Sequence, residues 1–113
     1  MMRKLLAVWI AVLALPTVAL AAEWQNVSMV DSMCLPKVKA EPDKHPVSCA
    51  LKCADSGYLI QTAAGTWVKL DGAGNKLAIA ALKGTSKKDH IRVNVTGEQT
   101  GEVIAVSALK LAD

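Results

Sequence analysis

Polar and apolar residues take turns from Trp24 to Val30, with Val27 and Met29 on one face, which predicts a first strand. The stretch Asp31 to Pro46 breaks this pattern. It holds Pro36, Pro42 and Pro46 among Lys37, Lys39, Glu41, Asp43 and Lys44, a composition that suits an irregular surface loop. Val47 to about Ala54 predicts a short helix, with Pro46 or Ser48 at its start and Gly57 just past its end. Alternation returns at Tyr58 to Thr62 and at Thr66 to Leu70 around Gly65, a hairpin pattern that Asp71-Gly72 is expected to close as a turn. Leu77, Ala78, Ala81 and Leu82 then fall at helical spacing, predicting a helix over Asn75 to Leu82 that Gly84 ends. Ile91, Val93 and Val95 alternate strictly with Arg92, Asn94 and Thr96, the clearest strand in the chain. Gly97 to Gly101 reads as the next turn, and Glu102 to Leu111 as a final strand with Ile104, Val106 and Ala108 on one face.

Five strands, with an insertion after the first and a regular helix between the third and fourth, are the element order of an oligonucleotide/oligosaccharide-binding (OB) barrel, a partly open Greek-key barrel. The expected class is therefore all-β with one or two short helices, a small OB-like barrel with a Cys/His-containing insertion over residues 31–57. A small open antiparallel sheet and an SH3-type barrel have the same periodicity.

The start of the chain predicts export. Arg3 and Lys4 precede the uncharged run Leu5 to Leu15, and Ala19-Leu20-Ala21 supplies the small residues a signal peptidase requires. Residues 1–21 are thus expected to be a cleaved signal peptide and residues 22–113 a single domain in the periplasm or outside the cell. The competing reading, a transmembrane anchor, meets an apolar core shorter than the ~20 residues that span a bilayer. No stable membrane anchor is expected after cleavage.

Without Arg3 and Lys4, 11 basic residues face 10 acidic ones, so the net charge of +3 falls to +1. A near-neutral exported domain has no electrostatic case for nucleic acid. With no Phe and one Tyr, its core is built from Val, Ile, Leu and Ala. At this size a disulfide or a metal adds useful stability.

The three cysteines all lie between Cys34 and Cys53, and an odd count in an oxidising compartment leaves one thiol over unless a metal takes all three. Met33, Cys34, His45, Cys49 and Cys53 fall within about twenty residues, and helical spacing sets Cys49 and Cys53 one turn apart. Thiolate, imidazole and thioether favour Cu(I), while Cys3His is a closed zinc set, so copper or zinc fits this cluster. The alternative is a disulfide from Cys34 to Cys49 or Cys53, which would staple the insertion to the first strand and leave the third thiol free or bonded to another chain. Redox chemistry is a third use. His45 beside Pro46 has an ordinary reading as a solvated loop residue, and Met33 as packing.

Asp31-Ser32-Met33-Cys34, then His45, Cys49, Cys53, Ser56-Gly57, a strand at Tyr58 to Gln61, and Val68-Lys69-Leu70-Asp71 resemble a group of small exported bacterial proteins of uncharacterised function. Their pattern is D-S-x-C, then H, C and C-x3-G. The resemblance covers nearly all of residues 22–113 and implies an OB-like barrel but no activity. Pro36 and Lys37 depart from it, standing where Gly and Lys or His are expected.

No other motif carries chemistry. No G-x-S-x-G setting surrounds any Ser, and no acid, base and nucleophile set assembles, so the protein is not expected to be an enzyme. Asp71-Gly72-Ala73-Gly74-Asn75 lacks the carboxylates of an EF-hand and the Gly-Lys-Ser/Thr of a phosphate loop, and reads as a tight turn. Lys83, Lys87, Lys88 and Arg92 form a basic stretch that reads as a solvated turn or as a contact for an anionic surface. Trp24 and Trp67 either cap the core or form a ligand face, with an unknown protein partner as another occupant. Asn26-Val27-Ser28 and Asn94-Val95-Thr96 fit the glycosylation sequon but are discounted for a leader of this kind.

Overall fold

The computed structural model describes residues 21–113. The segment up to Leu20, on which the leader reading rests, lies outside the described residues. No helix among the described residues is long and apolar enough to cross a membrane.

Five strands close into a barrel in the order β1-β2-β3-β5-β4. They are β1 (Ala22–Asp31), β2 (Tyr58–Gln61), β3 (Trp67–Leu70), β4 (Arg92–Thr100) and β5 (Val103–Leu111). The first strand lies between β2 and β4, antiparallel to both, with Val30 opposite Leu59 and Trp24 opposite Val95. β3 and β5 run parallel, Leu70 beside Ile104, and this pairing joins the two halves of the sheet. The result is the OB-like Greek-key barrel, not an open sheet. Helices α1 (Leu35–Val38) and α2 (Val47–Lys52) lie in the β1–β2 insertion, and α3 (Gly72–Lys83) lies between β3 and β4.

The core is aliphatic, as the composition requires. Met29, Ile60, Val68, Leu70, Val93, Val95 and Ile104 fill the barrel, closed by Ala78 and Leu82 from α3 and by Val47 and Ala50 from α2. Near its end β1 loses its alternation: Ser28, Met29, Val30 and Asp31 are all buried. One face of that segment meets the core, and the insertion folds over the other.

The insertion is fixed to the barrel rather than free at the surface. Arg92 on β4 grips Asp43 with two nitrogens, each 3.0 Å from a carboxylate oxygen. The Val47 amide donates to the Lys88 carbonyl at 2.8 Å, and the Tyr58 hydroxyl donates to the Ala50 carbonyl at 2.8 Å.

Three local expectations are corrected. Asp71-Gly72 is not a closing turn: Asp71 caps α3, its Oδ1 accepting from the Gly74 amide at 2.8 Å, so the helix begins three residues before the apolar spacing predicts. Gly97 is not in a turn either. It lies inside β4, opposite Val106, and the reversal comes at Gly101, whose φ of 61° suits glycine. Ala108 does not share a face with Val106, because Ser107 is an extra residue between the pairs Gly97–Val106 and Thr96–Ala108. This bulge switches the faces of β5, exposing Ala108 and turning Leu109 and Leu111 against the core.

Candidate metal centre

The site forms where β1 ends and the insertion begins and returns. Asp31 is the last residue of β1 and is fully buried. Its Oδ2 accepts from the Cys34 amide at 2.9 Å, a short-range bond that folds the chain at Ser32-Met33 and sets Cys34 at the start of α1. Cys53 arrives from the other direction. It terminates α2 with φ −102° and ψ 22°, leaving helical geometry as the chain enters a 3-10 turn at Ala54–Ser56.

Main-chain and hydroxyl bonds hold the two arms together. The Ser32 amide donates to the Gly57 carbonyl at 2.8 Å. Ser56 Oγ accepts from the Met33 amide at 3.1 Å and donates to the Cys53 carbonyl at 2.7 Å. As a consequence, a carboxylate oxygen of Asp31 and the sulfurs of Cys34 and Cys53 all lie within 4.8 Å of one another.

His45 stands behind this group. The 3-10 turn Pro42–Lys44 ends at His45, whose amide donates to the Pro42 carbonyl, and the ring then points inward. Its Nε2 lies 2.6 Å from Asp31 Oδ1. The imidazole therefore occupies one oxygen of the carboxylate, as an outer-shell partner does when it orients a ligand.

The electrostatics of the thiols follow from these neighbours. Burial pushes the Cys34 thiol up to about 11, aided by the hydrogen bond and negative charge of Asp31 and then by Cys53. Cys34 thus keeps its proton at neutral pH, unlike an activated nucleophile. A cation between the two sulfurs would reverse this balance, because it favours the thiolates and the carboxylate together.

The residues proposed from sequence are only partly brought together. Cys34 and Cys53 meet, and His45 reaches the site through Asp31. Cys49 is exposed and lies outside the converged group, and Met33 is 67% exposed. Trp24 pairs with Val95 on β4 and packs against the core, and the half-buried Trp67 pairs with Gln61 on β2. Asp31 is the residue that ligand counting missed. Its signal was its place three residues before Cys34, where a carboxylate can accept the Cys34 amide.

Two sulfurs and one oxygen at this spacing suit a thiophilic ion. The same two sulfurs, within 4.8 Å of each other, are also the pair from which a disulfide would form. Comparisons of the chain with protein-family models, with curated proteins and with solved structures give no match.

Proposed function

We propose that the protein is an exported metal-binding module in which Asp31, Cys34 and Cys53 hold one thiophilic ion, Zn(II) or Cu(I). The convergence of one carboxylate oxygen and two sulfurs within 4.8 Å carries this reading. His45 supports it by fixing Asp31 from behind, and the leader-like start of the chain and the resemblance to small exported proteins support the compartment. Two thiolates and a carboxylate over-neutralise a divalent ion by one charge and leave a fourth zinc position open. A rotated Cys49 or a donor from a partner protein would fill it, which is the arrangement a carrier needs to pass its ion on. The protonated state of Cys34, unlike that of an activated nucleophile, supports a non-enzymatic role.

The second reading, favoured by the same sulfur proximity, is a Cys34–Cys53 disulfide. It would staple the insertion of an OB-like binding domain, contributing on the order of 3 kcal/mol for a loop of this length.

Elemental analysis of protein from an exporting host, with thiol counting by mass spectrometry, separates the two. The metal reading expects about one zinc or copper per chain, lost in Cys34→Ser and Cys53→Ser and kept in Met33→Ala. A mapped Cys34–Cys53 disulfide, with no metal taken up after reduction and reconstitution, overturns it in favour of the staple.

A further inference from the structure

The far side of α2 carries a different feature. Between α2, α3 and the segment that leaves α3 runs a groove of about 520 Å3. Val47, Leu51 and Leu82 form its floor, and Lys83, Lys87 and Lys88 stand around it. Of the basic stretch prominent in the sequence, Arg92 is committed to Asp43, and the Lys87 ammonium donates to the Ala112 carbonyl at 2.6 Å. Among the described residues, Lys83 and Lys88 form no ion pair.

The charged residues that line the groove are all lysines. Neither α2 nor α3 contains an acidic residue, and none lies between Gly84 and Lys88. The nearest carboxylate in sequence, Asp89, is 2.6 Å from His90 Nδ1. Lys83 and Lys88 thus stand without an ion-pair partner, among the described residues, beside an apolar floor.

We propose that this groove binds a single-chain anionic amphiphile, its carboxylate or phosphate head at Lys83 and Lys88 and its chain along Pro46 and Leu51. Pro46 and Leu51 present the open apolar surface of the groove, backed by Leu82 and Val47, which are 1% and 8% exposed. A short concave strip rimmed by lysines suits a single chain better than a flat bilayer surface. The groove volume falls in the range of small-molecule sites. Lysine stems extend the apolar wall while their ammonium ends stay in water. The site is separate from the metal centre and does not depend on it.

The test is titration of the isotope-labelled protein with dodecanoate and dodecyl phosphate below their micellar concentrations, followed by amide chemical shifts. Dodecyltrimethylammonium and inorganic phosphate serve as comparisons, and vesicles of anionic phospholipid are tested by flotation. The proposal expects saturable shifts confined to residues 47–51 and 82–88, with at least tenfold weaker binding of the cationic amphiphile and of phosphate alone. In the double variant Lys83→Glu with Lys88→Glu, whose spectrum should otherwise match the parent, dodecanoate affinity falls at least tenfold and the cationic amphiphile gains. Leu51→Asn also weakens dodecanoate, without adding charge beside the lysine rim. Equal binding of both amphiphiles overturns the proposal, as does the absence of saturable shifts. Inorganic phosphate binding as tightly as dodecyl phosphate would make the site a head-group site alone, and binding only to vesicles would make it a membrane contact; either result overturns the proposal too.

Discussion

His45 Nε2 lies 2.6 Å from Asp31 Oδ1, and the two side chains are 3% and 0% exposed. The other oxygen of Asp31 holds the Cys34 amide, so a single carboxylate joins the end of β1, the turn before α1 and the middle of the insertion. Among the described residues no buried side-chain nitrogen or oxygen lacks a partner. Asp31→Ala would strand the imidazole and free the Cys34 amide, and it is expected to cost about 1–3 kcal/mol for each group left unpaired, read from the urea midpoint. Asp31→Asn keeps the shape and one acceptor and should lose less.

Reactivity of Cys34 is expected to be suppressed by its surroundings. In the reduced, metal-free protein, iodoacetamide should label the exposed Cys49 well before Cys34 at pH 8, because alkylation follows the thiolate fraction. The Cys34 rate should keep rising toward pH 11, where its thiol titrates. Asp31→Asn should move that midpoint down, since it removes the carboxylate's charge and leaves burial as the main cause. Peptide mass spectrometry across a pH series reads both effects.

Arg92 holds the Asp43 carboxyl below its usual range through a two-point hydrogen bond and its charge. The folded value is depressed, so the stabilisation is present above the unfolded value of about 3.9 and disappears as pH falls through the lower folded value. Both side chains are about a third exposed, at 38% and 34%, so solvent screening limits the effect to about 1 kcal/mol. Acid unfolding of Asp43→Asn should lack this loss, with the two proteins converging in stability at the acid end.

Two glycines of α3 should respond oppositely to alanine. At Gly74 a Cβ would stand 2.6 Å from Val106 Cγ2 and 2.9 Å from Leu70 Cβ, so Gly74→Ala must push the helix off β5. A loss of about 1–3 kcal/mol is expected from such overpacking. At Gly72 a Cβ meets nothing within 4 Å, and Gly72→Ala should stabilise by about 0.4–1 kcal/mol through the unfolded chain. Thermal melts of the two variants make the comparison.

The strand order was legible because each strand carries its own alternation and each connection its own turn residues, most clearly at Ile91 to Val95 and around Gly65. What alternation could not reveal was any feature made by a partner strand. Gly97 reads as a turn residue in isolation, yet it lies in β4, where glycine is required because a Cβ would run into the Ala105 carbonyl of β5. The bulge at Ser107 likewise has no local signature. The cysteine site was half legible for a similar reason: helical spacing joined Cys49 to Cys53, but Cys53 leaves the helix at its last turn and swings toward Cys34. His45, in a loop of charged residues and prolines, reads as solvated, and only Asp31 draws it inward.

β1 pairs on one side with a strand from the middle of the chain and on the other with one from its last quarter. The Asn26 amide bonds to the Asn94 side chain across a separation of 68 residues, whereas Cys34 and Cys53 are 19 positions apart. During folding, β1, β2, β3 and the insertion pair over short loops, while closure at β1–β4 must await the last quarter of the chain and the larger entropy of a long loop. For a chain that emerges from its N-terminus, the two sulfurs can meet an ion or an oxidant while the barrel is still open along β1. Whichever arrives first then sets the state in which the sheet is sealed.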